Sequence, residues 1–459
     1  MTTTGGTAPD RAYHPPQGTA ARPAGAARGR APVLPGLVPA QGRARRPAAA
    51  ILSGAGAKAG AGAGLPPAGR AAVTELRLSA FGPHRGTVLP LGAVTLLRGP
   101  SGSGKTTALR AYEALALLAS GAGLAEALPA AADLIPERAR PDAQGRRGLR
   151  IGCTVDGPAG PVALDLAVQV EPALRIAGER LTGHGRTLLA TALRDPGRGT
   201  VHAEWHTGGN ALVTRAPFPD DLLGTALLPL RVAGRTPGQR RVLSAAEQVV
   251  VGLRSVFPCD PRPAAMREPV PVGAGRLHGD CRNLAEVLHR TATECPRRHA
   301  RLAEFAAAGC AGPVTALGLR ETAHGTLVHA VLERAARGPA PATPLGRLGD
   351  GELRYLALGL VLLTGPAVLT VDPVDEVPQA LQALTVLADG LDRALDTRQT
   401  RALLALAGEI CGTGHMRLVA TAGESAGGGW IPEGAGESTA EHVPEGAGVT
   451  VVDLGRDRT

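Results

Sequence analysis

The sequence is poor in aromatic residues and lacks long apolar runs. Four Phe, three Tyr and two Trp in 459 residues leave few rings on which unpaired bases could stack, so sequence-specific nucleic-acid binding is disfavoured. No uninterrupted apolar run reaches the roughly 18 residues of a membrane-spanning helix, and no secretory leader is visible. The six cysteines form no CxxC pair, which argues against a zinc site or a disulfide framework. We therefore expect a cytoplasmic protein with no membrane contact.

Lysine is the rarest basic residue, and its placement is informative. Of the 49 basic residues only Lys58 and Lys105 are lysines, and Lys105 lies in a string that fits the pattern GxxxxGK[ST]. In such a P-loop, backbone N–H groups cradle phosphates, the compact ammonium reaches the β- and γ-phosphates, and the Thr106 hydroxyl faces Mg²⁺. The predicted nucleotide-binding residues are Gly99, Pro100, Ser101, Gly102, Ser103, Gly104, Lys105, Thr106 and Thr107.

The segments on either side of this string support a P-loop. Residues 94–97 form a short apolar run typical of a buried strand, and residues 108–118 are good helix formers. Strand, loop and helix therefore follow in the order that a phosphate-binding loop requires.

Positive charge is concentrated near the N-terminus. Residues 1–70 carry nine basic residues and one acidic residue, which accounts for +8 of the formal net charge of +9. This segment is dominated by Gly, Ala, Pro and Arg without periodicity, so we predict that it is disordered. Such an arm could bind DNA phosphates without reading sequence, or could only increase solubility, and both interpretations stay open.

The remaining sequence predicts an ATPase core over residues 72–424. Apolar residues alternate over 74–81 and again within 148–215, which predicts an antiparallel β lobe. From Asn283 the apolar spacing becomes helical, and we predict a helical segment over 283–336 with no long coiled coil. Residues 425–459 are predicted to form a flexible Gly- and Glu-rich tail with a short terminal strand.

Two further patterns could complete a nucleotide site. A glycine-rich turn opens the apolar helix that follows it, and helix N-termini bind anions. The apolar run 384–388 ends in Asp389, as in a Walker B strand, whose aspartate holds Mg²⁺ through water. Residues 368–371 lead to Asp372, which is the alternative Walker B aspartate. Its distance in sequence from the glycine-rich turn is the more usual one for a Walker B aspartate. We favour Asp389 because more of the surrounding features align with it. The turn comprises Gly349, Asp350, Gly351 and Glu352.

These motifs, in this order, resemble those of the ABC-type P-loop ATPases, especially the branch that contains SMC and RecF proteins, in a short form without a long coiled coil or nuclease domain. The resemblance implies an α/β fold with a mixed sheet, an antiparallel β lobe and a helical insertion. It implies ATP and Mg²⁺ as cofactors, Lys105 and Asp389 as catalytic residues, and Thr106 and Asp389 as metal ligands. It also implies a homodimer on ATP binding, in which the turn at 349–352 is a signature acting in trans and Leu395 and Asp396 form the D-loop.

Three positions depart from the family pattern. Gly349 stands in the place of the signature serine, Gly390 in that of the water-polarising glutamate, and Ala422 in that of the switch histidine. Losing a group that acts on the attacking water commonly costs a factor of about 10² to 10⁴ in rate, so we expect weak ATP hydrolysis, which a glutamate at position 390 should raise. The alternative is a nucleotide-gated interaction or DNA-tethering protein with negligible hydrolysis.

Overall fold

The structure is a computed structural model that describes residues 69–207, 213–321, 325–335, 342–371, 382–423 and 448–455. Most of the basic N-terminal segment lies outside the described residues, and so do Asp372 and residues 424–447. None of the helices in the described ranges is long and apolar enough to cross a membrane.

The described residues form strands in three sheets. In chain order the strands are β1 (Ala72–Phe81), β2 (His84–Pro90), β3 (Val94–Arg98), β4 (Arg147–Asp156), β5 (Val162–Glu171), β6 (Arg175–Gly183), β7 (Arg186–Ala192), β8 (Thr200–His206), β9 (Val213–Pro219), β10 (Val256–Cys259), β11 (Val270–Pro271), β12 (Val314–Glu321), β13 (Leu327–Arg334), β14 (Ala342–Pro344), β15 (Leu384–Ala388), β16 (Met416–Ala422) and β17 (Val449–Asp453).

The α-helices of the same ranges lie between these strands. They are α1 (Lys105–Ala119), α2 (Leu124–Ala127), α3 (Gly224–Arg231), α4 (Pro237–Arg254), α5 (Pro263–Met266), α6 (Leu284–Glu294), α7 (Pro296–Gly309), α8 (Asp350–Leu363) and α9 (Thr397–Gly412).

A parallel sheet carries the P-loop strand. Its order is β10-β15-β16-β3-β17, and every neighbouring pair in it is parallel. The central strands are buried almost throughout, as is typical of strands covered on both faces. Leu97 packs into a core with α1 and α4, whereas Leu96 packs into a second core with α8 and α9. The sheet therefore separates two hydrophobic cores.

An antiparallel sheet forms the β lobe. Its order is β2-β1-β4-β5-β6-β7-β8-β9, so β1 and β2 join the strands that follow residue 147. In β5 the buried side chains include Val162, Leu164, Leu166 and Val168, which share one face because successive strand residues point to opposite sides. The predicted mixture of an antiparallel lobe with an α/β body is the fold of the chain.

The helical segment predicted over residues 283–336 is wrong in its second part. Helices α6 and α7 form as expected from the apolar spacing, but β12 and β13 pair as an antiparallel hairpin that β11 and β14 extend. Gly312 has a φ of 75°, and Pro313 follows it, so the helix cannot continue. Beyond this break Val314 and Thr315 are β-branched residues, which favour strands.

The boundary of the core predicted at residue 424 is also wrong. Strand β17 pairs in parallel with β3 and so completes the sheet that carries the P-loop. The Arg98 guanidinium donates two hydrogen bonds of 2.7 Å to the Asp453 carboxylate, one to each oxygen. A paired fork of this kind fixes geometry as well as charge, and it holds the edge strand in register.

A buried carboxylate connects the β lobe to helix α3. Glu179 of β6 accepts hydrogen bonds of 2.7 Å from the backbone N–H groups of Gly224 and Thr225, and a further one from the Thr225 hydroxyl. Burial raises the pKa of Glu179, whereas the hydrogen bonds from Thr225 and Gly224 oppose that shift. The carboxylate satisfies N–H groups at the start of α3 that have no partner within the helix.

We predict that Glu179→Gln lowers the free energy of unfolding by about 1–3 kcal/mol, because an amide NH₂ group would face buried N–H donors. Urea denaturation followed by circular dichroism measures the change. Glu204→Gln, at a partly exposed position of β8 beside two exposed arginines, is the matched control and should lower the midpoint much less, because exposed ion pairs contribute little. Equal midpoints for the two variants would contradict the role given to Glu179.

Candidate functional site

The P-loop lies between β3 and α1. Gly104 precedes the helix with a φ of 94°, and a side chain here would meet the ring of His84, whose Nε2 lies 3.0 Å from the Gly104 carbonyl oxygen. Lys105 donates hydrogen bonds through Nζ to the carbonyl oxygens of Gly99 and Pro100, at 2.7 and 2.8 Å. The ammonium therefore lies inside the turn of the loop.

Ser103 is the buried member of this loop. Within the described ranges its Oγ has no hydrogen-bond partner, although the side chain is almost fully buried. Ser101 and Gly102 are exposed, and Thr107 is half-buried on the first turn of α1. An unpaired buried hydroxyl in a loop with glycines in left-handed conformations fits an anion such as a phosphate.

Asp389 lies beside the P-loop helix. It follows directly after β15, and the Thr106 hydroxyl donates to its two carboxylate oxygens at 3.0 and 3.1 Å. The Thr421 hydroxyl, on the neighbouring strand β16, donates to Asp389 Oδ1 at 2.6 Å. The P-loop helix and two neighbouring strands of the parallel sheet thus meet at one carboxylate. The alternative Walker B aspartate, Asp372, lies outside the described residues.

The oxygen atoms at this position suit a hard divalent cation. Hydroxyl and carboxylate oxygens are ligands that Mg²⁺ accepts, and Mg²⁺ sites commonly combine one or two carboxylates with substrate phosphates. Among the described residues no group of three or more His, Cys, Asp or Glu side chains is placed to hold a metal. Thr106 and Asp389 therefore fit a cation that is held jointly with a bound phosphate.

The predicted signature turn is tied to its own chain. Gly349 precedes α8, and its N–H donates to the Glu352 carboxylate at 3.2 Å. Arg267 donates to the carbonyl oxygens of Gly346 and Leu348 and pairs with Asp350 at 2.5 Å. One arginine thus fixes the backbone that leads into α8.

The predicted D-loop leads into α9. Asp396 is the N-cap of this helix and accepts a hydrogen bond of 2.7 Å from the Gln399 N–H, while Leu395 is half-buried. Gly351 of the signature turn lies against the Ala394 carbonyl oxygen, where any side chain would clash. The structure therefore places the signature turn against the residue that precedes the D-loop, and it brings Thr106 and Asp389 into contact.

Gly390 has a backbone that explains why it is glycine. Its φ is 64°, and its N–H donates to the Thr421 hydroxyl at 2.6 Å. A side chain here would adopt a left-handed conformation, and its Cβ would come within 2.9 Å of the Arg393 guanidinium. A glutamate at this position would thus be strained, which weakens the expectation that Gly390→Glu raises hydrolysis. Ala422 is buried at the end of β16.

Sequence reasoning did not identify Arg354, Asp260 or Arg393. Arg354 is only 3% exposed and donates to the carbonyl oxygens of Gly390 and Pro261, at 2.9 and 2.5 Å. It also pairs with Asp260 at 3.3 Å. The sequence did contain one signal, a single arginine within the apolar run of α8. A charged side chain that is buried needs hydrogen-bond or ion-pair partners, so this arginine indicated that polar groups lie beside the helix.

A cleft of about 370 Å³ opens beside Asp389. It extends along α1 towards the loop that follows β10. Burial raises the pKa of Glu113, one of the residues on the α1 side. The charged and hydroxyl side chains on its walls are Thr106, Arg110, Glu113, Asp260, Arg262, Asp280 and Asp389.

The strand order of the parallel sheet and the loop between β3 and α1 define the fold class, which is an α/β P-loop fold. No protein-family model and no curated protein sequence matches the chain. Solved structures of SMC head domains are similar to it.

One of them is an SMC head bound to the C-terminal winged-helix domain of ScpA, with 13% identity over 76% of this chain and 90% of that chain, at a TM-score of 0.42. The SMC head domain from Thermotoga maritima has 13% identity, covering 77% of this chain and 90% of that chain, at a TM-score of 0.37. A third structure is an SMC head with an extended coiled coil, bound to the C-terminal domain of ScpA, from Pyrococcus furiosus. It has 11% identity, covering 78% of this chain and 90% of that chain, at a TM-score of 0.40.

Proposed function

We propose that the chain binds Mg-ATP at the P-loop and uses the bound nucleotide to join two copies of itself, with slow hydrolysis. The observation that carries this proposal is the pair of hydrogen bonds from Thr106 to Asp389, at 3.0 and 3.1 Å. They connect the residue that follows the P-loop lysine to a carboxylate at the end of a parallel strand. This is the arrangement that a phosphate-bound Mg²⁺ requires.

Each residue around the loop has a task in this proposal. Lys105 exchanges its two carbonyl partners for the β- and γ-phosphates, and Ser103 offers a hydroxyl that is otherwise unpaired. Thr106 and Asp389 would hold Mg²⁺, which would neutralise charge on the phosphates when bound. Thr421 orients Asp389 by donating to its Oδ1.

The proposal includes a second copy because the contacts of the signature turn within its own chain are with residues other than those of the P-loop. Arg267 and Glu352 fix the turn, and Gly351 packs on the D-loop of the same copy. The start of α8 would therefore act on the nucleotide of the partner copy, where N–H groups at a helix N-terminus favour an anion. With glycine in place of serine at position 349, the contact would come from the backbone.

Slow turnover follows from the backbone at Gly390. Gly390 follows Asp389 in sequence without a side chain, its left-handed φ of 64° disfavours any replacement there, and Ala422 supplies no polar group. The residues that would hold Mg-ATP are thus retained, whereas positions 390 and 422, where the family pattern has a water-polarising glutamate and a switch histidine, carry no polar side chain.

We predict that Lys105→Ala abolishes ATP binding and that Lys105→Arg weakens it severely, because the broad guanidinium does not fit the phosphate cradle. Isothermal calorimetry with Mg-ATP gives the affinities. Lys58→Ala removes the other lysine of the chain and should bind ATP as the wild type does. Unchanged affinity in Lys105→Ala would remove the P-loop assignment.

We predict that Asp389→Asn weakens Mg²⁺-dependent ATP binding more than Asp372→Asn does, since a neutral amide attracts Mg²⁺ less than a carboxylate. The comparison uses ATP affinity with Mg²⁺ and with EDTA for both variants. A larger loss in Asp372→Asn would assign the Walker B role to Asp372 instead.

A nucleotide-gated DNA-tethering protein with negligible hydrolysis is the second candidate, and the concentration of positive charge in residues 1–70 favours it. If it is correct, ATP turnover should stay near background with and without DNA. Deleting residues 1–68 should then reduce DNA affinity and its salt dependence without changing ATP affinity. Turnover that rises on adding DNA would instead support the slow ATPase.

A further inference from the structure

Two carboxylates lie side by side at the edge of the cleft. Strands β10 and β15 run parallel and end with Cys259 beside Ala388, so Asp260 and Asp389, which directly follow the two strands, lie at the same end of the sheet. Both side chains line the cleft, and they are 39% and 27% exposed. Two like charges on neighbouring parallel strands repel each other unless a cation lies between them.

Arg393 supplies positive charge between these carboxylates. Its Nη1 lies 3.3 Å from Asp260 Oδ1, and its Nη2 lies 3.8 Å from Asp389 Oδ2. The guanidinium also lies close to the Cα of Gly390, because a Cβ added there would be 2.9 Å from Arg393 Nε and Nη2. The absence of a side chain at position 390 makes room for this cation.

The second arginine at the pair is fixed in a different way. Arg354 is only 3% exposed and is anchored by backbone carbonyl oxygens on two sides, so it cannot leave without exposing a buried charge. Arg393 is 55% exposed, and its ion pair with Asp389 is long. Exposed pairs of this kind are weak, so Arg393 is the cation that can be displaced.

We propose that Arg393 is an exchangeable counter-ion of the cation site, which neutralises Asp389 until Mg²⁺ arrives with the nucleotide and which thereby sets the Mg²⁺ requirement for ATP binding. This inference rests on the proposed function. Asp260 is the second anchor, which keeps Arg393 close to the site after it has left Asp389. Because both cations compete for one carboxylate, removing Arg393 strengthens the attraction between Asp389 and Mg²⁺.

The test is the affinity for ATP, measured by calorimetry in EDTA and at a series of free Mg²⁺ concentrations, for wild type and Arg393→Gln. We expect the half-saturating Mg²⁺ concentration to fall about fivefold in Arg393→Gln, as the loss of one exposed charge about 4 Å from the carboxylate predicts. In EDTA the variant should bind ATP less tightly than wild type, since a positive charge near the phosphates is gone.

Two variants separate the contact from other effects. Arg110→Gln removes a positive charge from another wall of the same cleft, and it should change the Mg²⁺ requirement less than Arg393→Gln does, because in the described residues Arg393 forms an ion pair with Asp389 and Arg110 does not. Arg393→Lys keeps the charge and should stay near wild type. Thermal unfolding of each variant confirms that it is folded.

Each outcome decides the inference. An unchanged Mg²⁺ requirement in Arg393→Gln, or an equal change in Arg393→Gln and Arg110→Gln, overturns it while leaving ATP binding in place. An equal change in Arg393→Gln and Arg393→Lys overturns it too, since charge would then not be the cause. A wild type that binds no ATP in any condition removes the proposed function, and this inference with it.

Discussion

The hydrogen bonds that converge on the Asp389 carboxylate are the interaction on which the rest of the site depends. Thr106 donates from the P-loop helix and Thr421 from β16, at 3.0 and 2.6 Å. A parallel sheet makes this convergence possible, because the carboxyl ends of neighbouring strands meet at one edge. Strands β3 and β15 are buried on both faces, and this packing fixes the position of their carboxyl ends. The core therefore determines the distance between Thr106, which follows β3, and Asp389, which follows β15.

Several hydrogen bonds and ion pairs that hold the described elements together are made by arginine side chains. Arg98 locks β17 to β3, Arg267 fixes the backbone before α8, and Arg354 binds carbonyl oxygens beside Gly390. Each of these contacts uses the planar fork, which binds two acceptors at once. Lys105 has the one position in the described chain where a compact ammonium lies inside a tight loop. The division of roles between the two residue types therefore follows from their shapes.

Local patterns predicted the elements whose signals lie within a few residues, and they failed where pairing is long-range. The P-loop and the strand before Asp389 could be read because glycine spacing and apolar runs are local. The hairpin of β12 and β13 could not, since its apolar spacing also suits a helix, and β17 could not be assigned to the sheet because β3 lies some 350 positions earlier. Arg354 and Asp260 meet only through the order of the parallel strands.

The backbone at Gly390 connects the geometry of the site to the proposed slow turnover. A left-handed residue directly after Asp389 lets its N–H reach the Thr421 hydroxyl, and it leaves space for the Arg393 guanidinium. The same turn excludes a glutamate unless it accepts backbone strain. If ATP is bound but hydrolysed slowly, it acts as a ligand that shifts the chain between states according to its affinity for each. A cation such as Arg393 at the carboxylate then makes that shift depend on Mg²⁺ as well as on ATP.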